Sequence, residues 1–156
     1  MTDRNKDPVT RLERRPFGTL PGGEPVEAIT LANAAGMRAC IITYGAGVHW
    51  ALALAEEMNL DADILDLRTL LPWDEEAVRR TVAKNGRVLL LHEDTLTGGL
   101  GGEIGAWIAE HCFQCLDAPL VRVASLDTAI PFSRPLEKQF LPQQRLREAV
   151  EKLLSY

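Results

Sequence analysis

His92, Glu93 and Asp94 stand together after an aliphatic run and form a group of side chains able to move protons. A histidine titrates near neutrality and adjacent carboxylates raise its pKa, so His92 is a candidate general acid or base. No nucleophile or cofactor motif accompanies it, which favours a structural or interface role. Just downstream, Thr97 to Gly102 places Gly98, Gly99, Gly101 and Gly102 between a strand-like run and a helix-like one. Free N–H groups in such a turn, at the positive end of a helix, can cradle a phosphate. The Lys-Ser/Thr of a P-loop is missing, and no acidic residue ends the next strand as a dinucleotide site requires. The glycines are therefore expected to let a helix pack closely on a sheet or a partner subunit.

Cys112 and Cys115 form a CxxC beside His111, with Cys40 far away in sequence. A structural zinc site needs four ligands, and a redox CxxC normally opens a helix where the dipole lowers the thiol pKa. This pair falls near a helix end, so the cysteines read as small apolar residues. His49 and Trp50 open another helix, where a tryptophan packs between helix and sheet. Ser125 and Asp127 lie outside any G-x-S-x-G elbow and read as turn chemistry, together with Thr128.

The elements that must position these residues alternate from Arg38 onward between short aliphatic runs and amphipathic stretches, the signature of a βαβ sheet. Strands are expected at Arg38 to Tyr44, Ala62 to Thr69, Arg87 to His92 and Leu120 to Ser125, and helices at Val48 to Met58, Asp74 to Lys84, Gly101 to Phe113 and Gln143 to Leu154. The right-handed crossover rule makes the four strands parallel within a three-layer α/β/α sandwich. Asp74 before Glu75 and Glu76 predicts an N-cap, and Asn85-Gly86 a stop. Before Arg38, Phe17 to Leu20, Pro25 to Ala32 and Met37 to Tyr44 read as an antiparallel meander broken at Pro21-Gly22-Gly23 and Asn33 to Gly36. Residues 1–15 read as a disordered tail, 16–37 as the meander and 38–156 as the α/β domain.

The 156 residues are 46% hydrophobic and 25% charged, as expected for one globular domain. No run approaches the ~18 apolar residues of a membrane span, and the polar start has no signal-peptide core, so the chain is expected in the cytoplasm and off membranes. The net charge is −5, without a basic block to follow a phosphate backbone, so nucleic acid is not an expected partner. An odd number of cysteines without a framework spacing fits a reducing compartment.

From Ile42 to Tyr156 the chain resembles the C-terminal, transketolase-C-terminal-like domain of the beta subunit of thiamine-diphosphate-dependent 2-oxo acid dehydrogenases. The resemblance is carried by Thr43-Tyr44-Gly45-Ala46-Gly47-Val48-His49-Trp50, by Asp66-Leu67-Arg68-Thr69-Leu70 with Pro72 and Asp74, and by His92 to Ile104. Leu116-Asp117-Ala118-Pro119, Arg122 to Thr128, Pro131-Phe132 and Leu136-Glu137 to Pro142 continue it in family order. The His-Glu-Asp and Gly-Gly-Leu-Gly-Gly wording is similar to the branched-chain, 2-oxoisovalerate type. Phe17-Gly18-Thr19-Leu20, Pro25-Val26, Thr30 to Asn33 and Ile42 to Ala46 resemble instead the opening strands of aldose 1-epimerases. The chain thus reads as a chimeric composite joined at a stretch both families use.

The first resemblance implies an additional antiparallel edge strand beside Ala62 to Thr69, which Val26 to Ala32 is placed to supply. It implies a non-catalytic assembly and partner-docking domain, either self-associating or binding the alpha-type subunit through Gly98, Gly99, Gly101, Gly102, Trp107 and Phe132. Tyr156 would help receive the basic subunit-binding domain of the acyltransferase, favoured by the negative balance after residue 16. In the complete enzyme, thiamine diphosphate and magnesium sit on other domains, so no cofactor or metal is expected in this chain. The alternatives are an epimerase-related fragment acting on sugars and a recombinant without function.

Overall fold

The computed structural model describes residues 11–19, 25–32 and 39–156. Two strands come first, β1 (Arg11–Thr19) and β2 (Pro25–Ala32), followed by β3 (Ala39–Thr43), β4 (Ala62–Asp66), β5 (Val88–Thr95) and β6 (Val121–Ser125). One six-stranded sheet holds them in the order β1-β2-β4-β3-β5-β6. The last four are mutually parallel, as expected, and β1 and β2 run antiparallel.

Among the described residues five α-helices and a 3-10 turn at Phe113–Cys115 complete the fold: α1 (Ala46–Met58), α2 (Glu75–Asn85), α3 (Leu100–His111), α4 (Arg134–Phe140) and α5 (Gln143–Leu154). The central strands are apolar on both faces because helices cover both. Ala39 and Ile41 of β3 join Ala51 of α1 and Leu146 and Val150 of α5 in one core layer. Cys40 and Ile42, the alternate residues, join Val78 of α2 and Ile108 of α3 in the other. That is the three-layer sandwich. Each fully buried aliphatic side chain, such as Ile41, Ile42, Leu89 and Leu90, contributes about 1.5–3 kcal/mol of transfer free energy.

Local chemistry sets the boundaries. The Asp74 carboxylate accepts the Ala77 N–H at 2.8 Å and caps α2, while Gly86 ends it at φ 68°. Lys84 and Asn85 at the other end of α2 reach the buried Asp63 of β4 at 2.7 and 2.8 Å, tying helix to sheet. β4 stops at Asp66 rather than Thr69 because the Asp66 carboxylate accepts the Arg68 N–H at 3.1 Å and Arg68 turns left-handed at φ 54°.

The first strands differ from the sequence expectation in three ways. Residues 11–15, expected in the tail, form the first half of β1; residues 1–10 and the turns at Pro21 to Gly23 and Asn33 to Gly36 lie outside the described residues. β3 does not continue a meander, since β2 pairs with β4 and β3 lies on the far side of β4. β2 does take the antiparallel place beside β4, with Ala28 opposite Leu65 and Leu31 opposite Ala62, but β1 pairs outside it and becomes the edge. α4 was not foreseen: it is seven residues long and buries Phe140 alone, too little to print a periodic stripe.

Candidate functional site

From adjacent strands β3 and β5 the chain departs in opposite directions, through α1 to β4 and through α3 to β6. Open α/β sheets hold ligands in the crevice outside such a switch point. Glycines precede and open both helices there, Gly45 before α1 and Gly47 in its first turn, Gly98 and Gly99 before α3 and Gly101 in its first turn. His92 occupies this place. It lies within β5 with only 1% of its surface exposed, and its ring stacks on Tyr44 with centroids 6.3 Å apart and planes at 12°. A Cβ at Gly101 would overlap Nε2 and Cδ2 of His92, and one at Gly99 would stand 2.7 Å from Cε1. The glycines therefore exist here as room for an imidazole beneath the first turn of α3.

Among the described residues neither nitrogen of His92, nor Oγ1 of Thr43 against Gly47, has a hydrogen-bond partner. Burial pushes the His92 pKa down, Asp94 opposes that and Arg122 adds to it. The expectation that flanking carboxylates raise this pKa is thus corrected: loss of water outweighs one nearby carboxylate. A neutral, solvent-excluded ring plugs the crevice and is poorly placed to exchange protons with a ligand.

Loop contacts hold the plug in place. The Thr97 N–H and hydroxyl donate to Asp127 at 2.8 and 2.7 Å, and the Leu96 N–H donates to the Ser125 carbonyl at 3.2 Å. The Ser125 hydroxyl donates to the Glu93 carbonyl at 2.5 Å. Asp127 is thus a tie between two loops as well as part of a turn, and the Thr97 N–H, then its hydroxyl, hold the carboxyl below its usual range. The pairing of residues thirty apart left no mark in the sequence.

The other candidates lie apart. Trp107, about two turns along α3 from the glycines, is half-buried, with the Arg79 guanidinium 5.2 Å from its ring centroid and His111 stacked at 4.6 Å. Cys40 and Cys112 are buried and Cys115 is exposed, so two of the three cysteines behave as small apolar residues. Trp50 packs on the core layer of α1 and α5, and His49 is exposed. Phe132 and Tyr156 are exposed, and Ile130, Leu136 and Leu71 join them among the exposed large apolar side chains. No group of three or more His, Cys, Asp or Glu side chains gathers among the described residues in a metal-holding arrangement.

Family comparison decides the lineage. The transketolase C-terminal domain family matches residues 30–145. The chain belongs to that family. The 2-oxoisovalerate dehydrogenase subunit beta of Bacillus subtilis is 38% identical over 88% of the chain and 46% of its own length. The mitochondrial beta subunit of the same enzyme from Dictyostelium discoideum is 36% identical over 98% of the chain and 44% of its own. Among solved structures, a split-gene transketolase in an inactive beta4 tetramer matches with a TM-score of 0.62 and 25% identity, over 77% of this chain and 39% of that one. The chain spans about half the length of the curated relatives it matches. The Dictyostelium alignment covers nearly the whole chain, the segment likened to an aldose 1-epimerase included, and that resemblance and the composite reading are not supported. Of the epimerase-like residues, Phe17 to Thr19 and Pro25 to Ala32 lie in the antiparallel pair of β1 and β2, of which β2 borders β4; a short alternating strand pair carries too few constraints to name a lineage.

Proposed function

We propose that the chain is the assembly and partner-docking domain of a 2-oxo acid dehydrogenase beta subunit of the branched-chain type. The observation that carries this reading is the contrast between a plugged switch point and an apolar segment presented to solvent after β6. His92 fills the place where such sheets take ligands, whereas Ile130 is 72% exposed and Phe132 entirely so. Exposed large apolar side chains close in sequence mark an interaction surface. The partners are a second copy or the alpha-type subunit, meeting Phe132 and the Gly98 to Gly102 loop, and the acyltransferase's basic subunit-binding domain near Tyr156. Thiamine diphosphate and magnesium belong to other domains of the complex, and the chain alone carries out no decarboxylation.

Sedimentation velocity of the chain alone and mixed with the alpha-type subunit tests this. Phe132→Ser should weaken the association about tenfold or more, as expected for a central aromatic anchor, with an unchanged melting temperature. Association of undiminished strength would overturn the reading. Removing Ser155 and Tyr156 should selectively weaken the acyltransferase complex, and added salt should weaken it further.

A further inference from the structure

Beside β6, on the outer side of the sheet, a cleft of about 330 Å³ opens between that strand, the Leu96 loop and α5. Its size is at the lower end for small-molecule sites. Arg122 and Arg145 both line it. Arg145 is held by three carbonyls: its NH2 group donates to Ala124 at 2.7 Å and Phe140 at 3.0 Å, and its NH1 group to Gln139 at 3.1 Å. Arg122 donates to the Leu96 carbonyl at 3.3 Å. Among the described residues neither guanidinium has a carboxylate within salt-bridge distance. Three carbonyls orient Arg145 without neutralising it, so little of its side-chain freedom remains to be lost when an anion arrives, while the exposed Arg122 is tethered by one carbonyl and can swing toward the ligand.

The third charge in the lining is Asp127, already occupied by Thr97. Two guanidiniums against one carboxylate leave a single positive charge. Apolar surface from Leu96, Leu126 and Ala149 completes the lining. We infer that this cleft binds a small organic monocarboxylate, its carboxylate between Arg122 and Arg145 and a short aliphatic tail on Leu96, Leu126 and Ala149. A dianion such as phosphate would bring a second negative charge toward Asp127 with no cation left to meet it, and would leave the apolar wall unused. The inference is independent of the docking role, which needs no ligand.

The test is a titration of the full chain with pentanoate, followed by backbone amide NMR, with acetate, pentan-1-ol and inorganic phosphate as comparisons. Pentanoate should saturate with a dissociation constant on the order of 1 mM, within the range of per-atom efficiencies for small ligands. Its shifts should be confined to residues 96, 122–127 and 145–149. Acetate lacks the tail, pentan-1-ol the charge, and both should bind more weakly. Arg122→Gln should weaken pentanoate about tenfold, the loss expected for one charge-assisted hydrogen bond. Ala149→Leu keeps both cations and fills the wall, so it should abolish binding of pentanoate while sparing acetate. Asp127→Asn should strengthen pentanoate and admit phosphate. Equal binding of phosphate and pentanoate by the unaltered chain, shifts centred elsewhere, or undiminished affinity in both Arg122→Gln and Ala149→Leu would overturn the assignment.

Discussion

At the carboxyl ends of β3 and β5 the crevice is filled by an uncharged imidazole pressed on glycine backbone, whereas one strand further out two guanidiniums line a cleft that stays open. Both hollows border the parallel strands of the same sheet, and they part ways on how their polar groups are satisfied. His92 has no hydrogen-bond partner among the described residues, and burial favours its neutral form. Arg145 is kept at the wall of an open cleft, where three carbonyls accept hydrogen bonds from its guanidinium. A switch point is therefore a ligand site only while nothing of the chain's own fills it. Here two glycines and one ring convert it to packing, and the remaining polar capacity sits beside the outermost strand.

The largest effect that could break this comparison comes from closing the space beneath α3. Gly101→Ala sets a methyl into Nε2 and Cδ2 of His92, and overpacking a buried site costs about 1–3 kcal/mol. We expect a loss near the top of that range in urea denaturation, because the blocking ring is itself wedged on Tyr44. Combining it with His92→Ala should restore part of the loss, giving a coupling energy of at least about 1 kcal/mol. Strict additivity would show that the glycines serve something other than the ring.

Next comes pH. The folded-state pKa of His92 lies below the ordinary imidazole value of 6.5. The unfolded chain therefore takes up its proton first as pH falls. Stability should be full above about pH 6.5 and decline as pH drops toward the folded value, and His92→Leu should flatten that part of the profile. Asp94→Asn removes the group that favours the charged ring, so it should widen the window of loss toward lower pH. A His92→Leu profile parallel to that of the unaltered chain would mean that the ring is not buried as a neutral group.

Much of this architecture was legible because the core strands carry their pattern locally. Ala39–Thr43 is buried at every position and reads as an apolar run in any window; Asp74 and Gly86 announce the ends of α2 by type. The first half of β1 is hidden in the sequence because Arg11 to Arg15 holds three arginines, and an edge strand needs little apolar surface to pair with its neighbour, whereas its second half falls in the strand expected at Phe17 to Leu20. At the site, the glycine spacing points to close packing on a sheet or a partner, and Gly99 and Gly101 do approach His92 of the sheet, yet that target is hidden in the sequence, since His92 is seven residues before Gly99 and meets it only after the loop folds back. Arg122 and Arg145 share a cleft only through the β6–α5 geometry. No one-dimensional pattern joins two cations that far apart, although Arg145 amid the polar side of α5 was open to view.

The smallest effect separates the two hollows at their shared wall, where Thr97 ties the glycine loop to Asp127 of the cleft. The N–H of Thr97 is the leading cause of the lowered Asp127 pKa and its hydroxyl the second. Thr97→Val removes the hydroxyl and keeps both shape and N–H, so the Asp127 carboxyl should titrate higher than in the unaltered chain and still below its ordinary value. Carbon-detected NMR of the carboxyl group reads this directly. Because the tie is exposed, the melting temperature should hardly move, and the His92 stability profile should stay as it was. If the valine substitution shifted the His92 profile as much as the Asp127 titration, the two hollows would be one coupled unit. Independent responses would confirm that the plug rests on the glycines and the ring, and the cleft on its arginines.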